Sequence, residues 1–293
     1  AAEIELRATE LSEAPSAAVY GRMGTTAAEF GTLASWLVDV LNVVTGNLDR
    51  PGGAMFAKAA AGATNTRGAS GSGRGLRVGR HQTRVRGLGE TMGELPVACL
   101  AEEIDTPGPG QIRAMVTVAG NPVLSTPNAE RLDSALAGLD AYVAVDIYLN
   151  ETTRHADVIL PPPSSLQKGH YDLALLQLAV RNVANYSPPV LPLDPDQPDE
   201  WEILARLALI AQGLGPDADP AVVDDLVVGT LVQAAVADAH SPVHGRDPAD
   251  LLAALGPRRG PERLLDLLLR TGPYGDGFGA RHDEVAPGVP PLS

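Results

Sequence analysis

The stretch Ala114-Met115-Val116-Thr117-Val118-Ala119-Gly120-Asn121-Pro122, followed by Ala141-Tyr142-Val143-Ala144-Val145-Asp146, decides the fold class. Each is a short, continuous apolar run rich in β-branched residues, the pattern of a buried strand. Between them, Asn128 to Leu136 has helical spacing. A third run, Asp157-Val158-Ile159-Leu160, stops at Pro161-Pro162-Pro163. Strand, helix and strand with short connections predict an α/β fold around a parallel sheet with flanking helices. Ligands of such sheets sit at the carboxyl ends of the strands. Those ends carry Asn121, Asp146 and the loop after Leu160. Two readings of Asp146 stand side by side: a strand-terminating or capping carboxylate, and an acceptor for the two N–H groups of a base edge.

Outward from this core, Thr32 to Val44 reads as an amphipathic helix with Leu33, Trp36, Leu37, Val40, Leu41 and Val44 on one stripe, and Gly46 as its cap. Leu95 to Ile104 is a short helix, ended by Pro107-Gly108-Pro109-Gly110. Asp199 to Leu209 is a helix presenting Trp201, Leu204, Ala205 and Ala208. Ala221–Ala239, Pro248–Leu255 and Pro261–Arg270 are helical, and from Gly272 the chain reads as a ragged tail. From Lys58 to Gly89 there are seven basic residues (Lys58, Arg67, Arg74, Arg77, Arg80, Arg84, Arg86), eight glycines and no acid. Composition alone leaves this segment either a solvated loop or an anion-binding one. With 293 residues, a net charge of −14 and only 4% aromatics, the core must be aliphatic and nucleic-acid binding is opposed.

One cysteine, Cys99, excludes a disulfide framework and an iron–sulfur cluster held by this chain alone. Its apolar neighbours make it an inert thiol rather than a nucleophile. His240 and His244 share helical spacing, but Ser241-Pro242 breaks the helix between them. His155 and His170 flank the third strand without a ligand cluster. There is no Gly-x-Ser-x-Gly elbow, phosphate loop or Gly-x-Gly-x-x-Gly between strand and helix. No apolar run is long enough to span a bilayer, and the acidic N-terminus lacks a secretory layout, so a cytoplasmic location is expected.

Several blocks resemble the molybdopterin-dependent oxidoreductases, the family of dimethyl sulfoxide reductase, formate dehydrogenase and nitrate reductase. They are Tyr20-Gly21-Arg22-Met23-Gly24-Thr25, Leu41 to Gly53, Gly120-Asn121-Pro122-Val123-Leu124-Ser125, Asp146 to Thr153, and Ala156 to Pro161. The resemblance implies a partial molybdopterin oxidoreductase fold. Residues 1–56 would close a first α/β domain and 57–113 form a basic Gly/Arg-rich connector. Residues 114–210 would be a nucleotide-binding core, and 211–293 a helical region and tail. It also implies a molybdenum cofactor, molybdopterin guanine dinucleotide, and two-electron redox chemistry on a small-molecule substrate. Gly120, Asn121, Pro122 and Ser125 would line the nucleotide crevice and Asp146 would take the guanine edge. Thr152 and Asp157 would lie nearby, and Arg22, Met23 and Gly24 by the pterin. Ala27 stands where relatives often carry Gln. The metal ligand, any iron–sulfur cluster and the closing C-terminal domain would belong to other parts of a parent enzyme, making this an internal fragment, inactive and marginally stable alone. The alternative is a non-catalytic nucleotide-binding or assembly module.

Overall fold

The computed structural model describes residues 1–61 and 78–280. The chain begins with α1 (Ala2–Glu13), the single turn α2 (Met23–Thr26) and α3 (Gly31–Val44), and no strand lies among residues 1–61. Thr45 caps α3, and Gly46 follows at φ 69°, donating to the Val43 carbonyl in the left-handed exit that glycine permits. Asn42, 2% exposed, accepts from the Val19 N–H and donates back to the Val19 carbonyl, both at 2.9 Å. Asn47 accepts from the Ala17 N–H at 3.1 Å. These two amides fix the approach to Arg22-Met23-Gly24. The apolar stripe of α3 is present, yet it faces outward: Leu33, Trp36 and Leu37 are exposed, and the buried residues of the helix are Gly31 and Asn42.

Next come β1 (Val78–Gln82) and β2 (Gly89–Thr91), an antiparallel pair, then a 3-10 turn and α4 (Leu100–Asp105). From Val78 onward the basic segment forms this hairpin; its residues 62–77 lie outside the described residues. Arg80 pairs with Glu90 at 2.6 Å, Arg84 with Glu103 at 3.6 Å and Arg86 with Glu102 at 2.7 Å. Three of the seven cations are therefore internal counterions. Arg67, Arg74 and Arg77 lie outside the described residues. The Glu90 side chain is fully buried and takes N–H bonds from the Arg80 guanidinium, the Gly93 backbone and the Arg80 backbone. The Arg80 guanidinium, first among these, holds its carboxyl down at about 2 against an ordinary 4.5. A depressed folded value means stability present above pH 4.5 and lost as pH falls toward 2. The Glu90 carboxyl carbon is accordingly expected to titrate by NMR with a midpoint near 2; an ordinary midpoint would show the carboxylate unheld.

The sheet follows: β3 (Ala114–Val118), α5 (Pro122–Ser125), α6 (Ala129–Leu136), β4 (Ala141–Val145) and β5 (Val158–Ile159), in the order β3-β4-β5. All neighbours are parallel, with Ala114 opposite Ala141 and Val143 opposite Val158. The crossover helix α6 packs with α4 over one face, burying Ala101, Ile104, Val123, Leu132, Ala135 and Leu136 against Met115. Each fully buried leucine there contributes about 1.5–3 kcal/mol. Tyr142 is buried on the same face, its hydroxyl 2.8 Å from the Thr117 hydroxyl. The opposite face carries Val116, Val118 and Val158 in the open. The α/β expectation is met, with helices on one face only among the described residues.

A two-residue antiparallel ladder, β6 (His170–Tyr171) with β7 (Tyr186–Ser187), leads to α7 (Glu200–Ala211), α8 (Ala221–Ala237), α9 (Pro248–Ala254) and α10 (Gly260–Thr271). Asp199 starts α7 with a reciprocal capping box to Glu202. The buried residues of α7 are Ile203, Ala205 and Leu209; of the expected face Trp201, Leu204, Ala205 and Ala208, Ala205 alone is among them. Helices α8, α9 and α10 enclose Val228, Val232, Val243, Leu251, Leu255 and Leu267. The start of the expected tail is also packed. Gly277 donates to the Arg270 carbonyl at 2.9 Å, and Phe278 lies against this core. Residues 281–293, with the rest of that tail, lie outside the described residues.

Candidate functional site

The carboxyl ends of β3 and β4 form one hydrogen-bonded unit. β3 leaves through Ala119, whose φ of 51° is left-handed although it is not glycine. Such a conformation costs on the order of 1 kcal/mol and persists only where neighbours enforce it. Here the Ala119 N–H donates to the Val145 carbonyl at 2.9 Å. Gly120 and Asn121 then bring the chain into α5, with Pro122 at its first position, where a missing N–H costs nothing. The Ser125 hydroxyl donates to the Asn121 carbonyl at 3.0 Å.

β4 ends at Asp146, 9% exposed. One carboxylate oxygen accepts the Tyr148 N–H at 3.0 Å, and the other has no hydrogen-bond donor among the described residues. Beyond it, the Asn150 side-chain oxygen accepts from the Thr152 N–H (3.0 Å) and the Thr153 N–H (2.9 Å), an Asx turn. The Thr153 hydroxyl donates to the Tyr148 carbonyl at 2.8 Å.

Thr152, with 0% exposure, joins the two loops. Its hydroxyl donates to the Asn121 side-chain oxygen at 2.6 Å and accepts from the Val123 N–H at 3.0 Å. The Asn121 amide nitrogen in turn donates to Glu151 at 2.8 Å, and this bond holds the Glu151 carboxyl below its ordinary range. Thus Gly120, Asn121, Pro122, Ser125, Asp146 and Thr152 are gathered at one edge of the sheet. Ile147, Tyr148 and Leu149 stand exposed beside them.

Asp157 is placed elsewhere. It precedes β5, and its carboxylate accepts the Tyr142 N–H at 2.7 Å, at the opposite end of β4 from Asp146. Arg22, Met23 and Gly24 lie on the α2–α3 unit, where the Arg22 carbonyl accepts from the Thr25 and Thr26 hydroxyls. No hydrogen bond among the described residues joins them to the crevice. Asn150, Glu151 and Thr153 were not singled out from sequence. Their signal is local: Asn with Thr two and three residues on is an Asx-turn pattern.

Elsewhere, Cys99 is 1% exposed and burial pushes its thiol up, in keeping with an inert residue. His155 sits 2.6 Å from Asp133, which it and Arg154 hold low. No group of three or more His, Cys, Asp or Glu able to hold a metal occurs among the described residues, and no helix there is long and apolar enough to cross a membrane. What the crevice offers chemically is recognition: a nearly buried carboxylate with a spare oxygen, backed by a fixed loop pair.

Residues 6–207 match the molybdopterin oxidoreductase family. The catalytic subunit of an assimilatory nitrate reductase from Bacillus subtilis is 31% identical over 100 residues, covering 34% of this chain and 13% of that protein. A putative formate dehydrogenase from Staphylococcus haemolyticus is 27% identical over 220 residues, covering 72% of the chain and 21% of its own length. A probable oxidoreductase of Bacillus subtilis is 28% identical over 208 residues, covering 68% and 20%. The chain thus spans at most about a fifth of the length of these relatives. With two thirds of its residues matched, among them both loops of the crevice, the chain belongs to the molybdopterin oxidoreductase family.

Proposed function

We propose that the β3–β4 crevice holds one guanine dinucleotide arm of a bis-dinucleotide molybdenum cofactor, so that this chain supplies part of the cofactor site of a two-electron oxidoreductase. The observation that carries the reading is Asp146: a carboxylate at a parallel-strand end, nearly buried, with one oxygen left without a donor among the described residues. A guanine edge presents N–H groups that such an oxygen accepts. The residues present therefore fit the nucleotide part of the group. Gly120, Asn121, Pro122 and Ser125 line the crevice, and Thr152 keeps Asn121 in place. When bound, such a cofactor supplies the redox centre itself. Arg22, Met23 and Gly24 face the pterin part in this reading, and Asp157 supports β4 from its far end.

The relatives' names indicate small redox substrates, nitrate for one and formate for another. We assign this chain the same class. The proposed division is a closing α/β segment at 1–56, a connector at 57–113, the nucleotide core at 114–210 and a helical region at 211–293. Two open apolar surfaces, the Val116–Val118–Val158 face of the sheet and the Leu33–Trp36–Leu37 stripe of α3, support packing against the remainder of a parent polypeptide. In that reading the metal ligand comes from the parent and the isolated chain does not turn over.

Calorimetric titration with GDP tests the reading. Saturable binding is expected, with ADP weaker because adenine lacks the guanine N–H pattern. Asp146→Ala should weaken GDP at least about tenfold, since a hydrogen bond to a charged group is worth about 1.5–3 kcal/mol. No GDP binding by the folded chain, or full binding by Asp146→Ala, would overturn it.

A further inference from the structure

A cavity of about 440 Å³ lies between the β6–β7 ladder and the starts of α7 and α10. That is the size of a small-molecule site. None of its lining residues belongs to the β3–β4 crevice, and its α10 wall lies beyond residue 207, where the family match ends. Tyr171, Tyr186 and Trp201 contribute aromatic wall. Trp201 lies close against the backbone at Gly260. That residue has φ 64°, and a Cβ on it would sit 2.6 Å from the indole nitrogen. Glycine at 260 thus serves both the backbone conformation and the placement of the ring.

The charges around the cavity decide what it can take. Lys168 and Arg259 face it, but each is already engaged, Lys168 by Glu200 and Arg259 by Asp224 and Asp225. Asp199 is engaged in the capping box of α7. Glu262 is different. Its carboxylate accepts the Tyr186 hydroxyl at 2.7 Å and forms no ion pair among the described residues. Burial and this carboxylate push the Tyr186 phenol up to about 12, so the tyrosine remains a neutral donor. The positive ends of α7 and α10 favour anions, and Asp199, Glu200, Glu202 and Glu262 already occupy those first turns. Arg258 acts on the Tyr186 phenol through its charge but forms no ion pair with Glu262 among the described residues. An apolar, aromatic-walled space whose one carboxylate has no ion-pair partner among those residues suits an organic cation, through charge pairing and attraction to the ring faces.

We propose that this cavity binds an organic ammonium, primary or quaternary, on a short apolar body, with the cation at Glu262 and the apolar part against Tyr171, Tyr186 and Trp201. The site shares no lining residue with the nucleotide crevice.

The chain has two tryptophans, and Trp36 is exposed. In a Trp36→Phe background, fluorescence therefore reports on Trp201 alone. Butyltrimethylammonium chloride is expected to give a saturable change, with sodium butanoate at matched ionic strength giving none. Glu262→Gln should weaken the ammonium at least about tenfold, the size of one charged contact. Tyr186→Phe keeps the ring and frees the carboxylate, so affinity should hold or rise. It also decides the matter if Glu262→Gln does not fold. Absence of a saturable ammonium response, equal binding of butanoate, undiminished binding by folded Glu262→Gln, or a tenfold loss in Tyr186→Phe would each overturn the proposal.

Discussion

Asp224→Ala is expected to destabilise the C-terminal helices by about 3 kcal/mol or more, the cost of breaking a buried ion pair from one side. Asp224 lies on α8 and is 7% exposed. One of its oxygens accepts the Gly260 N–H at 3.1 Å. The other accepts from Arg263 at 2.8 Å and from Arg259 at 3.3 Å. The Arg263 side chain is itself only 9% exposed, and its Nε has no partner among the described residues. Removing Asp224 thus strands a guanidinium that already lacks one bond, together with a backbone N–H at the start of α10. Asp225 softens the loss, because it holds Arg263 at 2.6 Å from a side chain 53% exposed. That exposure places Asp225→Ala near the 0–1 kcal/mol typical of surface pairs. Urea unfolding of both variants checks the contrast. Equal destabilisation would show that burial does not set the strength of this network.

What the sequence made legible follows from the range of the interactions involved. Ala114–Val118 and Ala141–Val145 are strands because their apolar, β-branched runs suit burial between neighbours, and that preference is local. Helix positions were legible for the same reason. What covers a helix is not local. The stripe on α3 has the right spacing, yet nothing described lies over Leu33 or Trp36. In α7 the apolar residues are spread widely enough that spacing did not select Ile203 and Leu209 over Trp201 and Leu204.

The basic segment shows the same limit through charge. Its count of cations ends at Gly89, and the first counterion is the next residue, Glu90; the others, Glu102 and Glu103, lie farther along. A window can register an excess of arginine without registering which arginines are already paired. In the crevice, residue types at strand ends pointed to Asn121 and Asp146. The hydroxyl of Thr152 bonding across 31 positions to Asn121 is a contact between loops, brought about by the parallel pairing of β3 with β4. Ala119 carried no signal at all, because its left-handed backbone runs against the preference of its side chain.

Thr152→Val is the variant that connects stability to recognition. Valine preserves shape and removes the hydroxyl, leaving two polar groups without partners beside a site of 0% exposure: the Asn121 side-chain oxygen and the Val123 N–H. Each unpaired buried group costs about 1–3 kcal/mol, so a loss of about 2–4 kcal/mol is expected. Thr152→Ser keeps the hydroxyl and deletes one methyl, for about 1 kcal/mol. Thermal unfolding of the pair isolates the hydrogen bonds from the packing. GDP titration then reads the second consequence. Without the Thr152 bond, the Asn121 side chain keeps, among the described residues, only its amide-nitrogen bond to Glu151. The Gly120–Ser125 loop then samples other positions, and apparent affinity falls by the fraction of molecules with the loop in place. Several-fold weaker GDP binding in Thr152→Val, restored in Thr152→Ser, is the expected pattern. A destabilised Thr152→Val that binds GDP as the unaltered chain does would confine Thr152 to folding and separate the loop lock from the nucleotide site.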